Sequence, residues 1–268
     1  MTTTIALAGK GGTGKTTVAG MIIKYLMKHQ PGPILAIDAD PSANLNMVLG
    51  LDLHWTVGEI REGLLEKVQD SLSAGGAAMG TVHGGMSKHD YLDYEIRSAL
   101  EEGERFDLIA MGRSEGQGCY CAVNHNLRDI LDNLSHNYRY VVIDNEAGME
   151  HLSRRTTRDV DHLFVVSGPT QRGIVAAERI AELQDELEIN IKNTYLILNR
   201  IPGEIPPPLQ ARMEELNLPF LGSIPSDQEL MAFDFSGKPL IDLADDSPVY
   251  QAVAGMLDQV LPLKQPAP

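Results

Sequence analysis

The chain has 268 residues, of which 43% are hydrophobic and 22% charged, as is typical of a globular protein with one core. Its formal net charge of −15 argues against nucleic acid or an anionic membrane surface as a partner, because both attract clustered Lys and Arg. No apolar run reaches the roughly 18 residues of a membrane span, and the first residues do not resemble a signal peptide. We therefore expect a cytoplasmic protein whose two cysteines are reduced thiols.

Short apolar runs predict the strands of a parallel sheet that is buried on both faces. They occupy residues 4–8, 34–37, 108–111, 140–143, 162–166, 194–198 and 220–221. Apolar residues at helical spacing lie between them, for example from Lys15 to His29. The alternation predicts a single-domain α/β fold over residues 1–262 with a doubly wound, mostly parallel sheet. Residues 73–89 are expected to form a flexible loop insertion, and 263–268 a frayed tail.

The segment from Gly9 to Thr16 reads GKGGTGKT and matches the phosphate-binding pattern G-x-x-x-x-G-K-[ST] between a predicted strand and a predicted helix. Glycines let backbone N–H groups converge on phosphate oxygens, and the following helix N-terminus adds a favourable dipole. Lys15 is expected to pair with the β- and γ-phosphates of ATP, and the Thr16 hydroxyl to bind Mg²⁺. The expected nucleotide contacts in this segment are Gly9, Lys10, Gly11, Gly12, Thr13, Gly14, Lys15, Thr16 and Thr17.

A second lysine, Lys10, lies inside the loop. The pattern K-G-G-x-G-K-[ST] resembles the deviant Walker A motif of the nitrogenase iron protein, arsenite-pump, Min and partition ATPases. The resemblance implies a homodimer that closes on ATP, in which Lys10 reaches the partner's nucleotide as an arginine finger does. It therefore implies that Lys10 and Lys15 both take part in catalysis.

Acidic residues follow two of the predicted strands, where open α/β sheets bind their ligands. Asp38 either reaches Mg²⁺ through water or caps the end of its strand. Asp40 matches the residue that positions or activates the attacking water in the superclass. Asp144 ends the run YVVID and is typical of a Walker B acid that holds Mg²⁺ through water. Gly148 is placed to sense the γ-phosphate through its backbone N–H.

Two later segments resemble the base-binding part of the same superclass. Asn199 ends a predicted strand and resembles the asparagine that recognises adenine. Pro225 lies in the segment SIPSD, which resembles the backbone that lines the base.

Both cysteines of the chain lie at Cys119 and Cys121, in the pattern C-x-C. In an extended loop, residues i and i+2 point to the same side, so two thiolates can face one metal ion. Two ligands are too few for a closed site, and a homodimer would supply four sulfurs. Such a site favours Zn²⁺ by its geometry, and Ni²⁺ is also compatible with soft ligands. The alternative is a pair of thiols that bind nothing specific.

The segments MGRSEGQGCYCAVNHNLRDIL and VVIDNEAGMEHLSRRTT resemble the accessory ATPases that mature the nickel enzymes carbon monoxide dehydrogenase and acetyl-CoA synthase. The resemblance implies that Cys119 and Cys121 bind nickel between two subunits. It also implies that ATP hydrolysis opens the dimer and releases nickel to the apo-enzyme. The expected partners are a second copy of the chain and one of these two apo-enzymes.

Two other functions are compatible with the loop. An electron-transfer ATPase like the nitrogenase iron protein carries its two ligand cysteines in separate segments, whereas here one residue separates them. A Min or partition ATPase requires a membrane-targeting amphipathic C-terminal helix or a basic DNA-binding surface. The C-terminal segment 248–264 contains one lysine and offers little basic surface.

Overall fold

A computed structural model describes residues 2–64, 81–82, 86–113, 129–148, 159–184 and 190–261. Its strands are β1 (Thr3–Ala8), β2 (Ile34–Asp38), β3 (Thr81–Val82), β4 (Met86–Ser87), β5 (Glu101–Glu102), β6 (Phe106–Ala110), β7 (Tyr140–Asp144), β8 (Asp159–Ser167), β9 (Asn190–Ile201) and β10 (Phe220–Pro225). Its helices are α1 (Lys15–His29), α2 (Leu45–Leu49), α3 (Lys88–Ser98), α4 (Gln171–Leu183), α5 (Pro207–Glu214), α6 (Gln228–Ser236) and α7 (Pro248–Val260). Residues 57–64 and 129–135 are also helical.

Eight strands form one sheet in the order β10-β9-β8-β1-β7-β2-β6-β5. All neighbours are parallel except the short edge strand β5, which is antiparallel to β6. β1 lies near the centre, between β7 and β8. The predicted single-domain α/β fold with a mostly parallel sheet is confirmed.

Helices cover both faces of the sheet, so the central strands are buried on both sides. α1 and α7 pack on one face together with Phe164 and Val166 of β8. α4 and the helical segments 57–64 and 129–135 pack on the other face. Because successive strand residues point to opposite faces, each central strand contributes to both cores. Because the neighbouring strands are parallel, their carboxyl ends meet at one edge of the sheet. This edge is formed by β1, β2, β6, β7, β8 and β9.

Several elements extend beyond the apolar runs that predicted them. β8 and β9 begin at Asp159 and Asn190, where polar side chains pair across the strands: the Asn190 amide donates to the Asp159 carboxylate at 3.1 Å.

Within the range expected to be a loop insertion, β3 pairs with β4 in an antiparallel hairpin. α3 begins directly afterwards, with the Ser87 hydroxyl accepting the Asp90 N–H as an N-cap.

In the part of the chain that the structure describes, every helix is too short or too polar to cross a lipid bilayer.

Candidate functional site

The segment between β1 and α1 turns sharply at the centre of the carboxyl edge. Gly9, Gly12 and Gly14 have φ angles of 151°, 77° and 89°, in the region that favours glycine. A Cβ on Gly9 would lie 2.2 Å from the Val166 carbonyl oxygen of β8. The loop is therefore packed directly against the neighbouring strand, and glycine at this position is a steric requirement.

Lys10 and Thr13 close the outer turn of the loop. The Thr13 N–H and hydroxyl both donate to the Lys10 carbonyl, at 3.3 and 2.9 Å. Lys10 is exposed, and it lines a groove of about 620 Å³ between the loop and α4. Its ammonium is consequently available to a group outside this subunit's own loop.

The ammonium of Lys15 lies inside the loop, where it donates to the Gly9 carbonyl at 3.3 Å. Lys15 is only 7% exposed, and this burial lowers its pKa. The charges of Asp144, Asp40 and Glu146 oppose the shift. A cation that has already lost much of its water attracts a phosphate more strongly than a hydrated surface lysine does.

Asp38 and Asp144 lie side by side at the ends of β2 and β7, in the same register position. Burial raises the pKa of Asp38 to about 6 and that of Asp144 to about 7. The negative charge of Asp40 raises both pKa values further, and that of Asp38 also raises the pKa of Asp144. The Thr16 hydroxyl lowers the pKa of Asp144. The carboxyl edge thus holds two crowded carboxylates beside Lys15.

The two carboxylates differ in their partners. Asp38 accepts the backbone N–H groups of Asp40 at 3.1 Å and Leu45 at 2.8 Å, so it caps the turn that follows β2. The Oδ1 atom of Asp144 is buried without a hydrogen-bond partner. A buried carboxylate oxygen that lacks a hydrogen-bond partner and lies near the Thr16 hydroxyl is a suitable place for a hydrated divalent cation.

Mg²⁺ usually keeps several waters and binds through one or two side chains together with substrate phosphates. The described residues contain no cluster of three or more His, Cys, Asp or Glu side chains that could hold a metal ion. The Thr16 hydroxyl and the Asp144 carboxylate therefore fit Mg²⁺ that arrives with a nucleotide, and do not form a closed metal site of their own.

Asp40 begins the turn between β2 and α2 and is partly exposed. Its carboxylate accepts the Ser42 N–H at 2.8 Å, and its carbonyl accepts the Ala43 N–H at 3.0 Å. Ala43 has a φ of 45°, which is uncommon for a residue with a Cβ. One carboxylate oxygen of Asp40 is thus engaged within the turn beside the loop.

Gly148, on the segment that follows β7, lines the same groove as Lys10. Its N–H donates to the Gly9 carbonyl at 3.3 Å, and its φ is 101°. In this arrangement the N–H that was expected to sense the γ-phosphate is bonded to the loop itself. A phosphate contact at Gly148 requires this bond to break.

Asn199 and Pro225 lie at the same edge, on β9 and β10. Asn199 is buried, and its side-chain amide donates to the Thr13 carbonyl at 2.8 Å. Pro225 pairs in register with Ile201. Arg200, which no sequence pattern identified as a site residue, donates from its guanidinium to the Gly12 carbonyl at 3.1 Å. Its position next to Asn199 was the only available signal.

Cys119 and Cys121 lie outside the described residues, but the chain that leads to them is described up to Arg113. The Met111 N–H donates to the Asp38 carbonyl at 2.8 Å, and the Gly58 N–H donates to the Met111 carbonyl at 2.9 Å. A Cβ on Gly58 would lie 2.0 Å from the Arg113 carbonyl oxygen. The described residues that precede the cysteines, up to Arg113, are therefore in direct contact with the end of the strand that carries Asp38.

Because the Asp144 carboxylate is buried, we expect the stability of the nucleotide-free protein in EDTA to depend on pH. Between the ordinary pKa of 3.8 and the raised value of about 7, the folded state keeps a proton that the unfolded chain has lost, so stability falls as pH rises. Asp144→Asn should raise the free energy of unfolding by on the order of 3–4 kcal/mol at pH 8 and by about half as much at pH 5.

Urea denaturation at both pH values measures this difference, with exposed Asp234→Asn as the control for loss of one surface charge. Equal effects of Asp144→Asn at pH 5 and pH 8 would contradict a carboxylate whose pKa is raised by burial.

A glycine-rich loop after the first strand, a buried lysine and two carboxylates at the same edge together define a P-loop nucleotide-binding protein. Residues 4–240 match the family described as CobQ/CobB/MinD/ParA nucleotide binding domain. The chain belongs to this family and is an ATP-binding P-loop ATPase.

Its relatives include an uncharacterized ATP-binding protein of Methanocaldococcus jannaschii, 42% identical over 96% of this chain and 98% of that protein. The carbon monoxide dehydrogenase accessory protein CooC of Rhodospirillum rubrum is 29% identical over 96% of this chain and 97% of its own length. The septum site-determining protein MinD of Pyrococcus horikoshii, solved in complex with Mg-ADP, has a similar fold. Its TM-score is 0.67 at 22% identity over 98% of this chain and 97% of that chain.

Proposed function

We propose that the protein is a cytoplasmic, ATP-dependent metallochaperone that carries Ni²⁺ to apo carbon monoxide dehydrogenase or apo acetyl-CoA synthase. One observation carries the proposal: the segment that leads to Cys119 and Cys121 is hydrogen-bonded at Met111 to the carbonyl of Asp38, beside the nucleotide loop. The similarity to the accessory protein CooC along nearly the whole chain supports the same function.

The nucleotide site follows from the geometry of the loop. Backbone N–H groups between Gly9 and Thr17 and the buried ammonium of Lys15 hold the phosphates of ATP. Thr16 and Asp144 would hold Mg²⁺, which would neutralise charge on the phosphates. Asp40 orients or deprotonates the attacking water, and Asp38 supports it by holding the Asp40 N–H.

A homodimer completes both the nucleotide site and the cargo site. Lys10 is exposed and makes no side-chain hydrogen bond among the contacts of the described residues, which suits a residue that acts on the partner's phosphates. One subunit supplies two thiolates for the cargo, and two subunits supply the four that a tight site needs. Zn²⁺ competes for such a site because it also prefers tetrahedral sulfur ligands.

ATP and Ni²⁺ both favour the closed dimer, because each contacts groups from two subunits only in that state. Hydrolysis removes the γ-phosphate that Lys15, Lys10 and Gly148 engage. The Gly148 N–H can then return to the Gly9 carbonyl, the bond that this structure shows. The dimer opens, the cysteine pairs separate, and the cargo passes to the apo-enzyme.

α7, the last helix in the described part of the chain, gives no support to a membrane-binding function of the Min type. α7 buries Val249, Tyr250, Val253, Met256 and Leu257 in the core beneath the sheet. Its apolar face is thus used within the fold, and over the described residues of this helix little apolar surface remains for a bilayer. The fold similarity to MinD does not separate the two functions.

Metal binding to the reduced protein tests the cargo site. Anaerobic titration should give one Ni²⁺ per dimer, with an affinity that depends on nucleotide, and Cys119→Ser/Cys121→Ser should lose it. Because the double variant removes all four thiolates of the dimer's site, we expect the affinity to fall at least about 100-fold. Zn²⁺ titrated in parallel measures the selectivity.

The matched control is His136→Ala, which removes an exposed potential ligand that lies outside the C-x-C motif and should leave binding unchanged. If the double cysteine variant binds nickel as well as the wild type does, the cysteine pair is incidental and the cargo function is wrong.

A further inference from the structure

Two consecutive side chains at the end of β9 hold two consecutive carbonyl groups of the phosphate-binding loop. The Asn199 amide donates to the Thr13 carbonyl at 2.8 Å, and the Arg200 guanidinium donates to the Gly12 carbonyl at 3.1 Å. β9 lies between β8 and the edge strand β10 and pairs in parallel with both. The loop is thus tied to a rigid strand that is distant from it in sequence.

These bonds determine where the loop's N–H groups point. A trans peptide is planar, so the N–H that follows a carbonyl points the opposite way. Holding the Thr13 carbonyl turns the Gly14 N–H away from Asn199. Holding the Gly12 carbonyl turns the Thr13 N–H away from Arg200, and this N–H meets the Lys10 carbonyl at 3.3 Å. The two bonds therefore maintain the turn in which the loop presents its donors.

The backbone of Arg200 is strained in a way that accompanies these contacts. Its φ is 62°, in the left-handed region that residues with a Cβ seldom occupy. The Asn199 side-chain oxygen accepts the Arg200 N–H at 2.9 Å and stabilises this conformation. Such strain persists where surrounding contacts hold it, and it is frequent at functional sites.

The contact between β9 and the loop is also tightly packed. A Cβ on Gly14 would lie 2.4 Å from the Asn199 amide nitrogen, and 3.8 Å from the Arg200 guanidinium. Gly14 is therefore required for the close approach of Asn199 as well as for its own φ angle, whereas Arg200 lies at an ordinary contact distance. Asn199 still has a second amide hydrogen and a second lone pair, so holding the loop does not prevent it from binding adenine.

We propose that Arg200 is a positioning residue that holds the phosphate-binding loop in its nucleotide-binding shape before the nucleotide arrives. The inference rests on the nucleotide-site part of the proposed function and is independent of nickel. A loop that is ordered in advance loses less conformational entropy on binding, so the affinity for the phosphates rises. Because the loop holds the phosphates of ADP and ATP alike, both nucleotides should gain equally.

The test compares Arg200→Ala with Arg200→Lys, and uses Arg97→Ala as a control for loss of one positive charge from an exposed surface pair with Asp93. We expect Arg200→Ala to raise the Kd of ADP and of ATP about tenfold, equivalent to about 1.4 kcal/mol, with kcat at saturating ATP unchanged. Amide hydrogen exchange across Gly9–Thr16 should be faster in the nucleotide-free variant. Arg200→Lys should restore only part of the affinity, because a single ammonium lacks the planar fork of the guanidinium.

Arg200→Gly separates the side chain from the backbone strain, since glycine adopts a φ of 62° without cost. It should match Arg200→Ala in loop exchange; wild-type exchange in Arg200→Gly would overturn the proposal. Unchanged affinity and exchange in Arg200→Ala would do the same, as would a lower kcat at unchanged Kd. Amide hydrogen exchange in the loop is measured without nucleotide or metal. If the wild type binds no ATP, the proposed function is refuted, and the exchange rates still test whether Arg200 holds the loop.

Discussion

Lys15→Ala should abolish tight ATP binding, with the Kd rising about 100-fold or more. The buried ammonium is the only side-chain cation inside the loop over the described residues, and hydrogen bonds to charged groups contribute about 1.5–3 kcal/mol each. Its loss also leaves Asp144 without a nearby opposite charge, which adds to the unfavourable charge at the phosphates. Calorimetric titration with ATP and Mg²⁺ measures the change.

Lys10→Ala is the matched control, because it removes a lysine from the same loop whose side chain points to the groove beside α4. It should retain its affinity for ATP while reducing ATP-dependent dimerisation. Micromolar ATP binding by Lys15→Ala would show that the assignment of the loop is wrong.

Asp40→Asn should preserve ATP binding and lower kcat by about 100-fold or more, the usual contribution of a residue that accepts a proton or orients water in the transition state. Asparagine has the same shape and can still accept the Ser42 N–H, so the turn after β2 should remain folded. Phosphate release under saturating ATP measures kcat, and a parallel titration measures affinity.

Asp52→Asn, which alters an exposed carboxylate on the segment after α2, serves as the control and should keep wild-type turnover. Normal turnover in Asp40→Asn would remove Asp40 from the catalytic machinery and direct attention to Glu146 on the neighbouring segment.

The sequence was sufficient for the features that depend on local pattern. Continuous apolar runs identified the central strands, because strands buried on both faces exclude polar residues. The helix from Lys15 to His29 was predicted at the bounds that the structure shows. Asp38 and Asp144 were placed at one edge because both end parallel strands, and the structure puts them in adjacent register.

The sequence was insufficient where the fold joins distant segments. The contact between Arg200 and Gly12 spans 188 positions, and no local pattern distinguishes this arginine from one on the surface. The bond from Gly148 to Gly9 depends on how β7 and β1 align. α3 was missed because its apolar residues are few and the preceding segment is rich in glycine, although Ser87 and Asp90 form a recognisable cap.

The hydrogen bond between Met111 and Asp38, at the end of the paired strands β6 and β2, has a consequence for how such proteins diversify. The chain beyond β6 is described up to Arg113, and the Met111 N–H in this stretch donates to the Asp38 carbonyl of β2 at 2.8 Å. Under the proposed function, this hydrogen bond couples the cargo-binding segment to the nucleotide edge. Replacement of residues 114–128 alone should then change the cargo and leave the nucleotide site intact.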